Sequence, residues 1–278
     1  MKTFKLVLCL YCLLVCFSCK NKSMEKQGNN LLEQKTFTNP LLPRGPDPWA
    51  LWHDGNYYYM HTMADSIVLW KTSDITDLEN AEKKTIWIPT DPANSYDLWA
   101  PEIHYIDGKW YVLYTADDGN SDNHQLYVLE NTSKDPFDGK FSMKGRISTD
   151  KDNNWAIDGS FFEHNGKLYM VWSGWQTRRV NTQTQCIYIA EMEKPWKLRS
   201  ERVLISKPEF EWERKFINPQ GWTPPDTILV NEGPQPLKSP DGKFVHIVYS
   251  ASGCWTPHYA LGILTAKENS DLLDPDSW

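Results

Sequence analysis

One phrase occurs four times in the 278 residues, and it restricts the fold more than any other feature. It is a tight turn followed by a strand rich in aromatic and β-branched residues. The copies read His53-Asp54-Gly55-Asn56, Ile106-Asp107-Gly108-Lys109, His164-Asn165-Gly166-Lys167 and Pro240-Asp241-Gly242-Lys243. Asp-Gly or Asn-Gly between such runs marks a hairpin, because both turn residues must accept a positive φ. An acid stands ahead of every turn. Asp47, Glu102, Asp158 and Glu232 lie 8, 6, 8 and 10 residues before their turn glycines.

Each copy predicts at least three strands. The strands ahead of the turns are Trp49–His53, Glu102–Ile106, Ser160–His164 and Gln235–Lys238. Those after the turns are Asn56–Thr62, Lys109–Thr115, Lys167–Ser173 and Lys243–Ser250. Third strands follow at Ile67–Thr72, Gln125–Glu130, Cys186–Glu191 and Tyr259–Ala266. No stretch carries a helical period of useful length. The turn glycines are 53, 58 and 76 residues apart, and the widest gap holds a Trp- and Pro-rich insertion over Phe210–Pro225. Periods near 50 residues with three or four strands each point to a β-propeller rather than a sandwich of unrelated hairpins. In a propeller the first strand of every blade lines the axis. The four acids are therefore expected at equivalent blade positions, gathered at one mouth of the channel.

Net charge is −7 and no long basic run occurs, which argues against a nucleic-acid partner. The 14 Trp suit flat sugar-binding surfaces, and they suit β cores equally well. At the N-terminus Lys2 and Lys5 precede an apolar run from Leu6 to Phe17, too short for a comfortable membrane span. The run ends Cys16-Phe17-Ser18-Cys19, which resembles a bacterial lipobox with Cys16 where an aliphatic residue is usual. Residues 1–19 read as a lipoprotein signal peptide with Cys19 as the lipid anchor, an ordinary cleaved signal being the alternative. Residues 20–36 read as a flexible tether and 37–278 as the propeller domain. This predicts a protein of the bacterial cell envelope, periplasmic or outer-membrane, held to the membrane by its N-terminal lipid. Only Cys186 and Cys254 then remain in the body. They allow a single disulfide, and no CxxC or His-Cys cluster suggests zinc.

Three of the acids sit among Gly and Pro: Gly45-Pro46-Asp47-Pro48-Trp49, Ala156-Ile157-Asp158-Gly159-Ser160 and Val230-Asn231-Glu232-Gly233-Pro234. Such neighbours fix the backbone around the carboxyl group. Glycoside hydrolysis needs two carboxyl groups, one to protonate the leaving oxygen and one to activate water or attack carbon. A third can hold the donor's pKa high, because like charges raise each other's pKa.

The blocks Asp47-Pro48-Trp49, Trp99-Ala100-Pro101-Glu102, Ile157-Asp158-Gly159-Ser160 and Asn231-Glu232-Gly233-Pro234 resemble glycoside hydrolase family 43, over roughly residues 38–278. The resemblance implies a five-bladed propeller and an inverting mechanism. It implies Asp47 as general base, Glu232 as general acid and Asp158 as the acid that tunes and orients Glu232. It implies that the Trp99 ring contacts sugar. Ile157 is a plausible apolar wall, and Trp255 and His258 are candidates for the rim. Glu102 matches no catalytic role and is expected to be structural or hydrogen-bonding. Gly45-Pro46 departs from the basic residue that often precedes the Asp-Pro. Four copies are present where the family has five, so the chain is expected to be a truncated propeller of about four blades. In the family the fifth blade carries a His that can hold an axial ion such as calcium, and that region is not in this chain. No cofactor is required by the expected reaction, and no metal ligand is assigned.

The expected activity is release of α-L-arabinofuranosyl residues from plant cell-wall arabinan or arabinoxylan. A β-xylosidase or endo-arabinanase is the alternative within the same chemistry. A non-catalytic sugar-binding lipoprotein is the alternative outside it, and a propeller phosphorylase ranks last, since no basic cluster suits phosphate.

Overall fold

The structure is a computed structural model that describes residues 36–177, 184–215 and 229–278. The chain separates into two units, Met1–Thr38 and Asn39–Trp278. Only residues 36–38 of the first are described, and they form no regular secondary structure. The predicted signal peptide, Cys19 and nearly all of the predicted tether lie outside the described residues.

The second unit is built of antiparallel strands. The first blade is β1 (Trp49–His53), β2 (Asn56–Met60), β3 (Ile67–Thr72) and β4 (Glu82–Trp87). The second is β5 (Tyr96–Ile106), β6 (Lys109–Asp117), β7 (Gln125–Asn131) and β8 (Ser142–Arg146). The third is β9 (Ala156–His164), β10 (Lys167–Trp175), β11 (Thr184–Lys194), a short β12 (Lys197–Leu198) and β13 (Val203–Ser206). The fourth is β14 (Leu229–Lys238), β15 (Phe244–Ala251) and β16 (Ala260–Lys267). The first two blades are four-stranded sheets. The third and fourth join into one eight-stranded sheet through a short parallel contact, Thr184↔Leu229 and Gln185↔Val230. This is an all-β fold of the five-bladed propeller type, with four blades in the described residues.

The first three turns behave as the sequence predicts. Asp54 and Gly55, Asp107 and Gly108, and Asn165 and Gly166 all have positive φ, between 46° and 80°. That is the mirror-image two-residue turn whose twist matches its flanking strands. The fourth differs. Only Gly242 has a positive φ there, and strand pairing resumes across a longer loop at Lys238↔Val245.

The cores lie between blades. Met60, Leu69, Ile103, Trp110 and Val112 pack the first blade against the second. Leu113, Leu126, Phe161, Met170 and Trp172 pack the second against the third. Val171, Ile187, Ile247 and Tyr249 pack the third against the fourth. A strand covered on both faces has no polar side, so β7 is buried along its whole length despite its mixed sequence.

Two strand predictions are corrected. β5, β9 and β14 begin well before the predicted starts, so Asp158 and Glu232, expected ahead of their strands, lie within them, and Glu102, expected at a strand start, lies inside β5. Each of these strands is interrupted by a bulge that breaks strict two-residue alternation. The outer strands β4, β8 and β13 were not predicted; β4 is largely exposed and polar, with little hydrophobic pattern to find. Cys186 and Cys254 are both free: Cys186 is buried in the third blade, and Cys254 lies at the cavity described below.

Candidate active site

Four residues in corresponding places take a positive φ: Asp47 (52°), Ala100 (45°), Asp158 (53°) and Gly233 (58°). In β5, β9 and β14 the register shifts around this residue. Trp99↔Thr115 gives way to Glu102↔Leu113, Ile157↔Ser173 to Ser160↔Val171, and Glu232↔Ser250 to Gln235↔Val248. In the first blade Thr62 N–H donates to Pro46 O at 3.0 Å, and pairing resumes at Trp49↔Met60. Every blade thus carries the same one-residue bulge. Left-handed backbone at a non-glycine residue costs on the order of 1–3 kcal/mol. Three of the four bulges bear that cost.

A bulge re-aims side chains that strict alternation would send to opposite faces. Here it turns two consecutive residues per blade toward one cavity of about 950 Å³. The residues before the bulges are Pro46, Trp99, Ile157 and Glu232. The bulge residues are Asp47, Ala100, Asp158 and Gly233. All eight line the cavity.

This corrects the expectation of four equivalent acids. Asp47 and Asp158 share the bulge position with Ala100 and Gly233. Glu232 occupies the position before it, as Trp99 and Ile157 do. Glu102 lies two residues beyond the bulge, with Trp49, Ser160 and Gln235 as counterparts. Counting from turn glycines misaligned the fourth copy because its hairpin is longer.

The residue facing each pre-bulge position is a hydroxyl residue: Thr62, Thr115, Ser173 and Ser250. Three of them reach into the next blade. Ala100 N–H donates to Thr62 Oγ1 at 2.7 Å, Asp158 N–H to Thr115 Oγ1 at 3.3 Å, and Ser173 Oγ donates to Asn231 O at 3.0 Å.

Each of the three predicted acids has one oxygen held by a donor. Thr62 Oγ1 donates to Asp47 Oδ2 at 2.5 Å. Gly233 N–H donates to Asp158 Oδ2 at 3.0 Å. Tyr259 Oη donates to Glu232 Oε1 at 3.0 Å. Their surroundings differ. Asp47 is exposed, whereas Glu232 is only 9% exposed. Burial, opposed by the Tyr259 hydroxyl and reinforced by Asp47, pushes Glu232 up to about 7. Asp158 shows part of its surface to the cavity while protein closes round its carboxyl group. Burial, then the charges of Glu232 and Asp47, hold it well above the usual carboxylate range, against the Gly233 N–H. Burial also raises the Cys254 thiol, followed by the fields of Glu232, Asp47 and Asp158.

Glu102 is buried beneath this layer. Its Oε1 accepts from Gln235 Nε2 at 2.5 Å, and Oε2 lies 3.0 Å from His104 Nε2. The first of these bonds ties the second blade to the fourth, and the second lies within β5. Trp99 stacks on His124 with ring centroids 4.0 Å apart, and Trp155 stacks on Trp175 at 4.9 Å. Trp255 is 40% exposed and also lines the cavity. His258 is exposed and is not among the lining residues. Among the described residues, one group brings possible metal-ligand atoms within 4.8 Å of each other: Asp97, Asp117 and His124, beside Trp99. Two carboxylates and an imidazole are a donor set for a divalent cation.

Sequence reasoning missed Thr62, Gln235, His124, Cys254 and Tyr259. A signal existed for Thr62, since the second strand of each copy reaches a Thr or Ser at a matching place. Tyr259 had none, because the loop it follows shares no sequence pattern with the corresponding loops of the other blades.

Residues 37–278 match the family described as glycosyl hydrolases family 43. An extracellular exo-alpha-(1->5)-L-arabinofuranosidase of Streptomyces avermitilis is 35% identical over 250 residues, spanning 87% of this chain and 48% of that protein. The protein of the same name from Streptomyces chartreusis is 34% identical over 87% of this chain and 70% of its own. The chain thus spans about half the length of the first of these relatives. The crystal structure of an alpha-L-arabinofuranosidase from Lactobacillus brevis superposes with a TM-score of 0.76 at 35% identity, over 87% of this chain and 74% of that one. With the bulged carboxylates, the axial cavity and this likeness along the described blades, the chain belongs to glycosyl hydrolase family 43.

Proposed function

We propose that the chain is the catalytic domain of an inverting, exo-acting α-L-arabinofuranosidase that removes terminal arabinofuranosyl residues from plant arabinan or arabinoxylan. The observation that carries this reading is the contrast between two carboxyl groups on one cavity. Glu232, pushed up to about 7 by burial, holds its proton through the mildly acidic range up to about neutral pH. Asp47 stands exposed with one oxygen fixed by Thr62. An inverting glycosidase needs that pairing: a protonated donor for the leaving oxygen, and a base for water on the opposite face of the sugar. Glu232 protonates the glycosidic oxygen as its bond to the anomeric carbon breaks. Water attacks that carbon and gives its proton to Asp47. Asp158 is held above the usual carboxylate range by burial and then by the charge of Glu232, so the two carboxyl groups do not readily ionise together. Trp99, Ile157 and Trp255 supply apolar surface around the sugar.

The two carboxyl groups account for both proton transfers, so the reaction as proposed requires no cofactor. An axial divalent ion would support the site rather than react in it. The substrate preference follows the names of the relatives, and exposed cell-wall chains fit an envelope enzyme anchored through Cys19.

The test is steady-state hydrolysis of 4-nitrophenyl α-L-arabinofuranoside against the corresponding β-D-xyloside, followed by polarimetry of the released sugar. Turnover of the arabinoside with inversion supports the reading. Preference for the xyloside overturns the specificity, and binding of arabinan without turnover of any glycoside overturns the enzyme. Radiolabelled palmitate retained by the parent and lost in Cys19→Ala supports the anchor, and equal labelling overturns it.

A further inference from the structure

The two oxygens of the Glu232 carboxyl group have unequal surroundings. Oε1 accepts the Tyr259 hydroxyl at 3.0 Å, and among the described residues Oε2 accepts no hydrogen bond. Tyr259 does not come from the bulges that carry the rest of the site. It stands just before β16, two strands away from Glu232 in its blade, and it lines the cavity. The Glu232 ladder partner, Ser250, lines the same cavity. The Tyr259 hydroxyl thus engages one chosen oxygen of the buried carboxyl group.

We propose that Tyr259 is a positioning residue for the acid: by holding Oε1, it makes Oε2 the oxygen that carries and delivers the proton. This rests on the reading of Glu232 as proton donor. In a neutral carboxyl group the carbonyl oxygen is the better acceptor, so a donor fixed on Oε1 places the hydroxyl on Oε2. The proton leaves Oε2 for the glycosidic oxygen as the anomeric C–O bond breaks toward that oxygen. The negative charge left on Glu232 is then met by the hydrogen bond already in place, which strengthens as its acceptor ionises. Tyr259 supplies no proton itself. Burial, followed by the Glu232 charge, raises its phenol far above the ordinary range, so it stays a donor throughout.

The groups facing Glu232 set the sign of the test. Asp47 before β1, Asp158 on β9 and Cys254 ahead of β16 offer negative charge or a neutral thiol. Tyr259 supplies the hydrogen bond that favours the ionised form, against burial. Its removal makes Glu232 harder to ionise.

The experiment compares parent and Tyr259→Phe, as the full chain, in the pH dependence of kcat and kcat/KM on 4-nitrophenyl α-L-arabinofuranoside. The alkaline limb of the parent, expected near pH 7, should move up by about one pH unit. At the optimum kcat should fall about tenfold with KM within about twofold, as for an interaction that strengthens in the transition state. A difluorotyrosine at position 259, which is a stronger donor of unchanged shape, should move the limb the other way. An unmoved alkaline limb in both variants overturns the proposal. The same ionisation can be followed without turnover from the infrared carbonyl band of protonated Glu232, identified by its loss in Glu232→Gln. A band that titrates alike in parent and Tyr259→Phe overturns the role of Tyr259 whatever the substrate. A shifted band in a protein that cleaves no arabinoside supports Tyr259 and overturns the arabinofuranosidase reading alone.

Discussion

Asp47 and Glu232 open onto the same cavity from different backbone positions. Asp47 is a bulge residue, left-handed and exposed, with its carboxylate tied to Thr62. Glu232 precedes its bulge, is 9% exposed, and is tied to Tyr259. Both have one oxygen held by a hydroxyl group, so the hydrogen bonds do not separate them. Depth does: burial raises Glu232 to about 7. Burial, not place in the repeat, is what matters: Asp158 shares the bulge position of Asp47, and burial holds its carboxyl group well above the usual carboxylate range.

The largest test of that contrast is Asp47→Ala. It should lower kcat/KM about 10⁴-fold on arabino-oligosaccharides and on the 4-nitrophenyl glycoside alike, because water needs a base whatever group leaves. Glu232→Ala should behave differently. We expect a loss of about 10³-fold on oligosaccharides and tenfold or less on the aryl glycoside, since a stable phenolate leaves without being protonated. Parallel losses on both substrates would erase the distinction between the two carboxyl groups.

Thr62→Val should cost about tenfold in kcat by freeing Asp47, and Thr62→Ser should restore most of it. A Val variant at full rate would show that the backbone alone aims the base. The smallest expected effect is on stability. A carboxyl group whose folded pKa is raised contributes stability that is present below its unfolded value and lost as pH rises through the folded value. For Glu232 that window runs from about 4.5 to about 7. Glu232→Gln should therefore match the parent at pH 4 and gain about 1–2 kcal/mol, a few degrees in Tm, at pH 8. The figure is below the full linkage value because Asp158 shares the burden.

Much of the blade architecture was legible in the chain. Asp54-Gly55, Asp107-Gly108 and Asn165-Gly166 demand positive φ and adopt it. The acids were legible as a set because Gly and Pro flank them. Their true alignment was not, because a bulge leaves no mark in composition: Ala100 and Gly233 occupy the place of Asp47 and Asp158 without resembling them. The predicted starts of β5, β9 and β14 failed for the same reason. Outer strands such as β4 escaped because an exposed edge imposes little pattern. Tyr259 escaped because a contact between a post-loop residue and an axial strand has no period.

The bulge ring also bears on how such a cavity can change. Two consecutive positions in each of four blades face inward on a shared backbone frame, and they carry Pro46 and Asp47, Trp99 and Ala100, Ile157 and Asp158, and Glu232 and Gly233. Acid, aromatic ring, aliphatic wall and bare backbone are thus interchangeable occupants of addresses that the strands hold constant. Ala100 is the address with the smallest side chain, and its left-handed φ of 45° is one that Asp already adopts at two sister positions. The chemistry of the floor can be rewritten letter by letter while the propeller beneath it stays the same.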